Sequence, residues 1–416
     1  MRILFPSYYF PPEIGFGPNI PYELCESLVK LGHEVTVVTG FPRYHLEVMP
    51  PQYRKRFLYA EEMEGIKVYR VNVPNIYTKL RYLRGLVQQI APWMMAIRAV
   101  LLKIKPDIVY TVTPPLPMGL STRLVAKRFG IPCVVNVQDL FPQSAVDLGL
   151  LHNRMLIRVL EWMERDIYKK SDMITVMSDG NGDYVVEHGG HPDRVKTIFN
   201  WVDTDLIQPS ERMNDFRKVQ GLGDKFVVLF AGTMGWSQGL NVGVEAARHL
   251  AYDPDIIFLL VGDGVELEKL KKQAEGLPNV RFLPMQSREV YPQVLAACDA
   301  ALVTLRAEVI TPTVPSKIST IMASGRPIIA SIPLHGDAPR FIIEADSGLV
   351  VPPADPKALV SAVLTLRNDP EKARQLGVNG RNYAEKRLSR TICVRQLEGL
   401  FQFLVEKKQR CCSEKH

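Results

Sequence analysis

Short runs of β-branched residues recur along the whole chain, and stretches with helical periodicity separate them. Near-continuous apolar strands that alternate with helices are typical of parallel sheets covered by helices on both faces. The strands predicted in this way are 2–6, 34–39, 67–73, 108–113, 133–137, 173–177, 195–199, 226–231, 256–261, 280–283, 300–305, 327–330 and 348–351. Two such series predict an α/β protein with two Rossmann-like, doubly wound domains that face a central cleft.

The length of the chain agrees with this organisation, because 416 residues suit two domains of about 200 residues each. We place the boundary in Asn200–Ser210, where a strand ends in polar turn residues. The predicted domains are residues 1–203 and 204–384. A final helix, at about residues 385–410, is expected to pack back on the first domain.

Composition excludes several classes of protein. The net charge of +7 fits anionic small ligands or an acidic membrane face, and it is too small to indicate a nucleic-acid partner. The six cysteines include no CxxC pair, which favours a reducing, cytoplasmic setting. The first residues are typical of a strand and not of a signal peptide. No apolar run reaches the roughly 18 residues that a membrane-spanning helix needs.

The segment Val314–Ser331, VPSKISTIMASGRPIIAS, is the most informative motif. A polar turn with Ser316 and Lys317 precedes an apolar helical stretch, which stops at Gly325 before a β-branched run. The first turn of such a helix carries backbone N–H groups without partners and the positive end of the helix dipole. A lysine beside these donors predicts a binding site for a diphosphate.

Glycine-rich turns follow two predicted strands. Gly15 and Gly17 precede a helix predicted at Tyr22–Leu31, and their spacing is not the G-x-G-x-x-G of dinucleotide-binding proteins. A tight turn without any ligand explains these two glycines as an alternative. Gly232 and Gly235, in FAGTMGWSQGL, allow N–H groups to face a phosphate.

A third turn, VGDG, places Asp263 at the end of the next strand. Asp263 is a candidate for donor binding, and helix capping explains it equally well. Asp203-Thr204-Asp205 resembles a metal-chelating DxD motif, but Asp203 more simply caps a turn in the linker.

Together these motifs resemble the GT-B glycosyltransferases of glycosyltransferase family 4. The matching segments are YYFPPEIGFGP, LGHEVTVVTG, PDIVYTVTPPLPMGL, VQDLFPQSAVDLGLL, NWVDTDLIQP, FAGTMGWSQGL, LLVGDG, PSKISTIMASGRPIIAS and GLVVPPADP. The resemblance implies retaining transfer of a hexose or N-acetylhexosamine from a UDP- or GDP-linked donor, without a metal or another cofactor. The implied acceptor is a glycan or a polyprenyl-linked glycan.

The resemblance also implies roles for individual residues. Asp139 and Glu308 are the implied catalytic-site residues, near the transferred sugar. The implied donor-binding residues are Gly15, Gly17, Gly232, Gly235, Asp263, Ser316, Lys317 and Thr320.

The chain departs from the family pattern at two places. Thr320 stands where relatives usually have the glutamate that holds the donor ribose. The turn after the first strand of the second domain has Thr233, Met234 and Gln238 where many members have an arginine and a lysine. Lys317 is then the expected main cation at the diphosphate, with Arg306 or Arg326 as helper.

Basic and aromatic residues suggest peripheral contact with the anionic inner face of the cell membrane. Lys79, Arg81 and Arg84 lead into Leu86–Leu102, which contains Trp93, Met94 and Met95, and Gln52–Tyr59 is a second such cluster. An ordinary core helix with a solvated basic end explains the first stretch equally well.

Two other functions stay open. One is a catalytically degenerate partner subunit that binds nucleotide or glycan, for which Thr320 is the main support. The other is a nucleotide-sugar 2-epimerase on the same architecture, which needs acid–base groups that the sequence does not clearly provide.

Overall fold

The structure is a computed structural model that describes residues 1–13, 16–42, 50–54, 56–73, 81–309, 311–312 and 314–413. The chain forms two compact units. The first unit comprises Met1–Val146, Leu151–Phe199 and Cys393–His416, and the second comprises Asp147–Leu150 and Asn200–Ile392. Apart from the short segment Asp147–Leu150, the chain therefore leaves the first unit after Phe199 and re-enters it after Ile392.

The first unit is a sheet of eight strands in the order β3-β4-β2-β1-β5-β6-β7-β8, in which only β3 is antiparallel to its neighbour. Its strands are β1 (Arg2–Pro6), β2 (Glu34–Gly40), β3 (Leu58–Met63), β4 (Ile66–Val71), β5 (Ile108–Thr113), β6 (Cys133–Val137), β7 (Met173–Val176) and β8 (Val195–Thr197). Its helices are α1 (Phe16–Lys30), α2 (Arg81–Leu101), α3 (Leu116–Phe129), α4 (Gln143–Asp147), α5 (Arg154–Lys170) and α6 (Asp179–Glu187).

The second unit is a parallel sheet of six strands in the order β11-β10-β9-β12-β13-β14. Its strands are β9 (Phe226–Ala231), β10 (Ile256–Val261), β11 (Val280–Leu283), β12 (Ala300–Thr304), β13 (Ile328–Ser331) and β14 (Gly348–Val351). Its helices are α7 (Asp215–Val219), α8 (Asn241–His249), α9 (Leu267–Gln273), α10 (Tyr291–Ala296), α11 (Ser316–Ala323), α12 (Asp337–Glu344), α13 (Pro356–Asn368) and α14 (Pro370–Tyr383), and α15 (Arg390–Ser413) follows.

Local sequence explains several of these boundaries. Every residue of β6 and β10 is buried, which accounts for their continuous apolar composition. The side chain of Asn153 accepts the N–H groups of Met155 and Leu156 and so starts α5. Gly130 ends α3 in the left-handed conformation, with a φ of 69°.

The last helix, α15, contributes to the core of the first unit. The ring of Phe401 lies 5.5 Å from that of Tyr110 on β5, centroid to centroid. The Nε2 atom of His33 lies 2.7 Å from a carboxylate oxygen of Glu398. Within the described residues, no helix combines the length and apolar character that crossing a membrane requires.

Three sequence predictions about the first unit are wrong. The sheet is not wholly parallel, because Leu58–Met63 forms the antiparallel edge strand β3. The helix predicted at Tyr22–Leu31 begins earlier, at Phe16. Tyr53, predicted to contact a membrane, is only 2% exposed and packs with its ring 5.2 Å from the Arg70 guanidinium.

The predicted membrane helix Leu86–Leu102 is α2, and its residues divide between two faces. Met95 is 1% exposed and belongs to the core, so its assignment to a membrane contact is wrong. Trp93 is exposed and Met94 is half-buried. Lys79, the first of the basic residues that precede this stretch, lies outside the described residues.

Candidate active site

The second unit gathers most of the predicted donor-binding residues at one edge of its sheet. The strand order reverses between the neighbours β9 and β12, with β10 and β11 on one side and β13 and β14 on the other. The loops that follow β9 and β12 therefore separate at this point and leave a crevice at the carboxyl ends of the strands. Gly232 follows β9, and α11 with Lys317 follows β12.

Lys317 connects these two loops. Its Nζ atom donates a hydrogen bond of 2.6 Å to the Oε1 atom of Gln238, in the turn after β9. The same atom lies 3.9 Å from the centroid of the Phe230 ring. Gly232 leaves room for it, because a Cβ atom there would lie 3.7 Å from Nζ.

The ammonium of Lys317 has no anionic partner among the described residues. Although the side chain is half-buried as a whole, its ammonium lies over an aromatic ring, where water solvates it poorly. Burial lowers the pKa of Lys317 from 10.5 to about 7. A buried cation without a carboxylate is suited to an incoming anion, which would restore its charge.

The turns after β9 and β10 pack directly on each other through their backbones. The N–H of Gly232 donates to the carbonyl of Val261 at 2.9 Å, and the N–H of Met234 donates to that of Asp263 at 2.8 Å. A Cβ atom at Gly262 would lie 1.9 Å from the Gly232 carbonyl oxygen, so no side chain fits there. The N–H of Gly232 already donates to a carbonyl and is not available to a phosphate. Any role of Gly232 in donor binding therefore comes from the space that the absence of a side chain leaves beside Lys317.

Asp263 is not a helix cap. The helix α9 begins at Leu267, after Glu266, and no side chain caps it. The carboxylate of Asp263 instead accepts the N–H of Gly264 at 2.7 Å, because the turn runs on for three residues before the helix starts. The side chain is exposed at the carboxyl edge of the sheet, and its role in donor binding stays a prediction.

Arg306 is the second cation of this edge. Its guanidinium lies 4.4 Å from the centroid of the exposed Trp236 ring and 3.5 Å from a carboxylate oxygen of Glu266. Arg326, the other predicted helper, is at the opposite edge, because it lies two residues before the start of β13. It donates to the carbonyls of Ser210 and Ala296 at 2.9 Å and 2.6 Å, so its assignment to the diphosphate is wrong.

The hydroxyl of Thr320 is bound within its own helix. It donates to the carbonyl of Lys317 at 2.9 Å and lies 3.5 Å from the hydroxyl oxygen of Tyr291. Sequence reasoning identified Thr320 but missed Tyr291, since a tyrosine at the start of a helix gives no signal of its own. The arrangement joins two neutral hydroxyls at the position where the family resemblance implies a glutamate.

The remaining candidates of the second unit also lie at this edge, and their roles stay predictions. Ser316 is the exposed first residue of α11, and its predecessor Pro315 provides no side-chain cap. Glu308 is exposed in the turn after β12. Gly235 precedes the short 3₁₀ turn Trp236–Gln238.

The first unit places Asp139 at the carboxyl edge of its own sheet, two residues after β6. Although the side chain is exposed by area, the surrounding protein desolvates it and raises the pKa of its carboxyl group above the ordinary value. Such a group holds its proton more readily than an ordinary aspartate. Gly17 lies in the first turn of α1, and Gly15 lies outside the described residues.

The linker aspartate caps a turn, as predicted. The Oδ1 atom of Asp203 accepts the N–H groups of Asp205 and Leu206 at 3.1 Å and 2.9 Å. The part of the chain that the structure describes contains no group of three or more His, Cys, Asp or Glu side chains arranged to hold a metal ion.

The chain has two Rossmann-like units, and the second has a crevice with cations at the switch point, which is the place between β9 and β12 where the strand order reverses. This is the architecture of the GT-B glycosyltransferases. Family models agree with this assignment along most of the chain. Residues 19–201 match the glycosyl transferase 4-like domain, and residues 225–369 match glycosyl transferases group 1. The chain belongs to the group 1 glycosyltransferases with the GT-B fold.

Individual relatives are similar over most of their length. The chain is 28% identical to the putative colanic acid biosynthesis glycosyl transferase WcaI of Escherichia coli, over 95% of this chain and 98% of the relative. It is 24% identical to an E. coli UDP-Gal:alpha-D-GlcNAc-diphosphoundecaprenol alpha-1,3-galactosyltransferase, over 70% and 76%. The fold is similar to that of Anabaena Alr3699/HepE in complex with UDP, with a TM-score of 0.74, 19% identity, and coverage of 97% and 100%.

Proposed function

We propose that this glycosyltransferase transfers a hexose or N-acetylhexosamine from a UDP- or GDP-linked donor to a glycan or polyprenyl-linked acceptor in polysaccharide synthesis. The observation that carries the proposal is the ammonium of Lys317, desolvated and without a described carboxylate partner, at the switch point of the second unit. The similarity to a colanic acid biosynthesis glycosyl transferase supports a role in polysaccharide synthesis, and the similarity to a galactosyltransferase that acts on a diphosphoundecaprenol-linked sugar supports the choice of acceptor. The similarity in fold to Anabaena Alr3699/HepE, whose structure contains UDP, supports the choice of donor.

The donor diphosphate takes the place beside Lys317. Cleavage of the anomeric C–O bond leaves negative charge on this diphosphate, and a fixed ammonium stabilises such charge in a poorly solvated site. The N-terminus of α11 adds the positive end of its dipole. Because these groups supply positive charge, the proposed reaction needs no metal.

Asp139 and Glu308 are the proposed groups near the transferred sugar. The raised pKa of Asp139 lets it donate a hydrogen bond when it is protonated and accept one when it is ionised. Retention of anomeric configuration is proposed with attack from the side of the leaving group, where a phosphate oxygen takes the acceptor proton.

The proposed location is cytoplasmic, in peripheral contact with the inner face of the cell membrane. This location gives the enzyme access to a polyprenyl-linked acceptor. From the middle of α2 to its end, the exposed apolar residues are Ile90, Trp93, Ile97 and Leu101. A solvent face of this composition favours partial insertion between headgroups over full exposure to water.

The test is a panel of UDP-, GDP- and dTDP-sugars, incubated with pure protein and a polyprenyl-diphosphate-linked sugar. We expect release of one nucleoside diphosphate, a product with the donor's anomeric configuration by NMR, and unchanged rates in the presence of EDTA. Loss of activity in EDTA with recovery in Mn²⁺ would contradict the metal-free reaction. Epimerised donor, or donor binding without any turnover, would instead identify the epimerase or the degenerate partner.

Replacing Thr320 with glutamate is expected to tighten donor binding. A charged acceptor for the ribose hydroxyls is worth about 1.5–3 kcal/mol, whereas a neutral one is worth about 1 kcal/mol. Calorimetric titration of UDP and GDP into Thr320→Glu measures the change, and Thr320→Gln is the matched neutral control. Weaker binding by a folded Thr320→Glu variant would show that this site is built for a different contact.

A further inference from the structure

The outward face of α5 is apolar where a solvent-exposed helix face is normally polar. Met155, Val159 and Trp162 are 78%, 50% and 63% exposed. They are spaced four and three residues apart, so their side chains lie on the same side of the helix. None of them contributes to the site described above, so the stripe calls for a partner of its own.

Cations line this stripe. Arg158, Arg165 and Lys169 are exposed and fall beside the apolar residues on the same helical turns. We call these three cations together with Met155, Val159 and Trp162 the α5 face.

The carboxylates of α5 offset this charge only in part, through Glu161. Glu164 is buried and accepts a hydrogen bond of 2.9 Å from Tyr168, and Glu161 is half-buried. Asp166 forms ion pairs with Arg123 and Lys170. The net charge that the α5 face offers to a partner is therefore positive.

The same character continues onto the neighbouring helices. α3 packs closely on α5, since a Cβ atom at Gly119 would lie 2.9 Å from Ile167. The exposed residues within α3 are Leu124, Lys127 and Arg128. On the far side of α3, α2 exposes the apolar residues described above. Apolar side chains thus extend across three adjacent helices, and among the side chains that the structure describes on these helices the exposed cations lie on α3 and α5.

We infer that the α5 face docks on an anionic lipid bilayer, with Trp162 as the anchor at the interface. The inference deepens the proposed function, on which it rests for the presence of a lipid-linked acceptor. A bilayer matches both components, because apolar side chains enter the acyl boundary while the flanking cations stay at the phosphate level. Each cation near an anionic surface contributes about a fivefold gain in affinity.

The experiment is flotation of the full-length protein with phosphatidylcholine vesicles that contain no or 30 mol% phosphatidylglycerol. We expect binding to the anionic vesicles only, and weaker binding at high salt. Arg158→Gln/Lys169→Gln should weaken it by about 25-fold, for two lost cations. Val159→Ser/Trp162→Ser should also reduce it at least about tenfold.

Matched controls change similar residues on the second unit. Lys372→Gln/Lys386→Gln removes two exposed cations, and Val219→Ser/Tyr252→Ser removes two exposed apolar side chains. Both control pairs should bind vesicles like the unchanged protein. Circular dichroism and the thermal midpoint verify that all variants are folded.

Several outcomes would overturn the docking. These are equal binding to neutral vesicles, no binding to either kind, unaltered binding by both α5 variants, or a dimer in solution that Val159→Ser/Trp162→Ser dissociates. Turnover of a soluble donor and acceptor, measured on the same samples, separates this result from the proposed function. Vesicle binding without turnover would sustain the docking and contradict the proposed function, and turnover without vesicle binding would do the reverse.

Discussion

Gly262→Ala is expected to destabilise the second unit and to abolish its nucleotide binding. The new Cβ atom would lie 1.9 Å from the carbonyl oxygen of Gly232, and the φ of 150° at Gly262 is one that alanine avoids. Backbone strain of this kind costs about 1–3 kcal/mol, and forcing an extra carbon into a packed site costs a similar amount. The contact can relax only if the turn after β10 and the turn after β9 move apart. The turn after β9 carries Gln238, whose side chain positions Lys317, so this movement disturbs the binding site.

Gly235→Ala is the matched control for this change. A Cβ atom at Gly235 has no neighbour within 4 Å, and the φ there is −91°, so alanine fits without strain. Differential scanning calorimetry should show a midpoint lowered by about 5–20 °C for Gly262→Ala and an unchanged midpoint for Gly235→Ala. A Gly262→Ala protein that melts and binds UDP normally would contradict the backbone packing of the two turns.

Lys317→Ala is expected to weaken binding of UDP or GDP by about 1–3 kcal/mol, which is roughly 5- to 150-fold. The reason is that the variant loses the Lys317 ammonium, which lies between the loops after β9 and β12. This ammonium has no ion-pair partner among the described residues. Isothermal titration calorimetry measures the affinity, with Lys357→Ala, an exposed lysine on α13, as the control. Equal affinities of Lys317→Ala and the unchanged protein would remove Lys317 from the donor site.

The pKa of Lys317 leads us to expect that both donor affinity and the stability of the fold depend on pH. Only the protonated amine attracts a diphosphate, and its pKa in the free protein is about 7. Affinity for a sugar nucleotide should therefore be highest below pH 7 and fall above it, with proton uptake on binding near pH 8. The unfolded chain keeps the ordinary pKa and binds more protons between about pH 7 and 10.5, so the contribution of this group to stability rises with pH across that window.

Lys317→Met separates binding from folding, because it keeps the length of the side chain and removes the charge. Its thermal midpoint should exceed that of the unchanged protein near pH 7 and approach it near pH 10, while its donor affinity falls. A lower midpoint at pH 7 would mean that the ammonium stabilises the fold, contrary to the desolvation inferred here.

The sheets could be predicted largely from sequence. Both β6 and β10 are buried at every residue, so their runs of apolar residues are continuous and mark them clearly. The edge strand β3 escaped prediction because its residues alternate between exposed and half-buried, and its charged residues resemble a surface loop. The start of α1 was misplaced because Gly17, Pro18 and Pro21 are poor helix formers that tertiary context overrides.

The site could be predicted in part. The location of Lys317 could be predicted, because the start of a helix that follows a parallel strand lies at the carboxyl edge of the sheet, and its role at the diphosphate stays a prediction. The stacking of Arg306 on Trp236 and the contact of Tyr291 with Thr320 depend on which strands are neighbours, and a single sequence does not encode that directly. The predicted contact of Arg326 with the diphosphate is wrong for the same reason. Arg326 is close to Lys317 along the chain, but the two residues lie at opposite edges of the sheet.

A crystal structure with a bound sugar nucleotide tests the central claim most directly. The claim is that a donor diphosphate binds between the turn after β9 and the start of α11. Oxygen atoms of the diphosphate are expected within hydrogen-bond distance of Lys317 Nζ, with the ribose near Thr320 and Tyr291. Density for the nucleotide at any other place on the second unit, with Lys317 still bonded to Gln238 alone, would contradict the account.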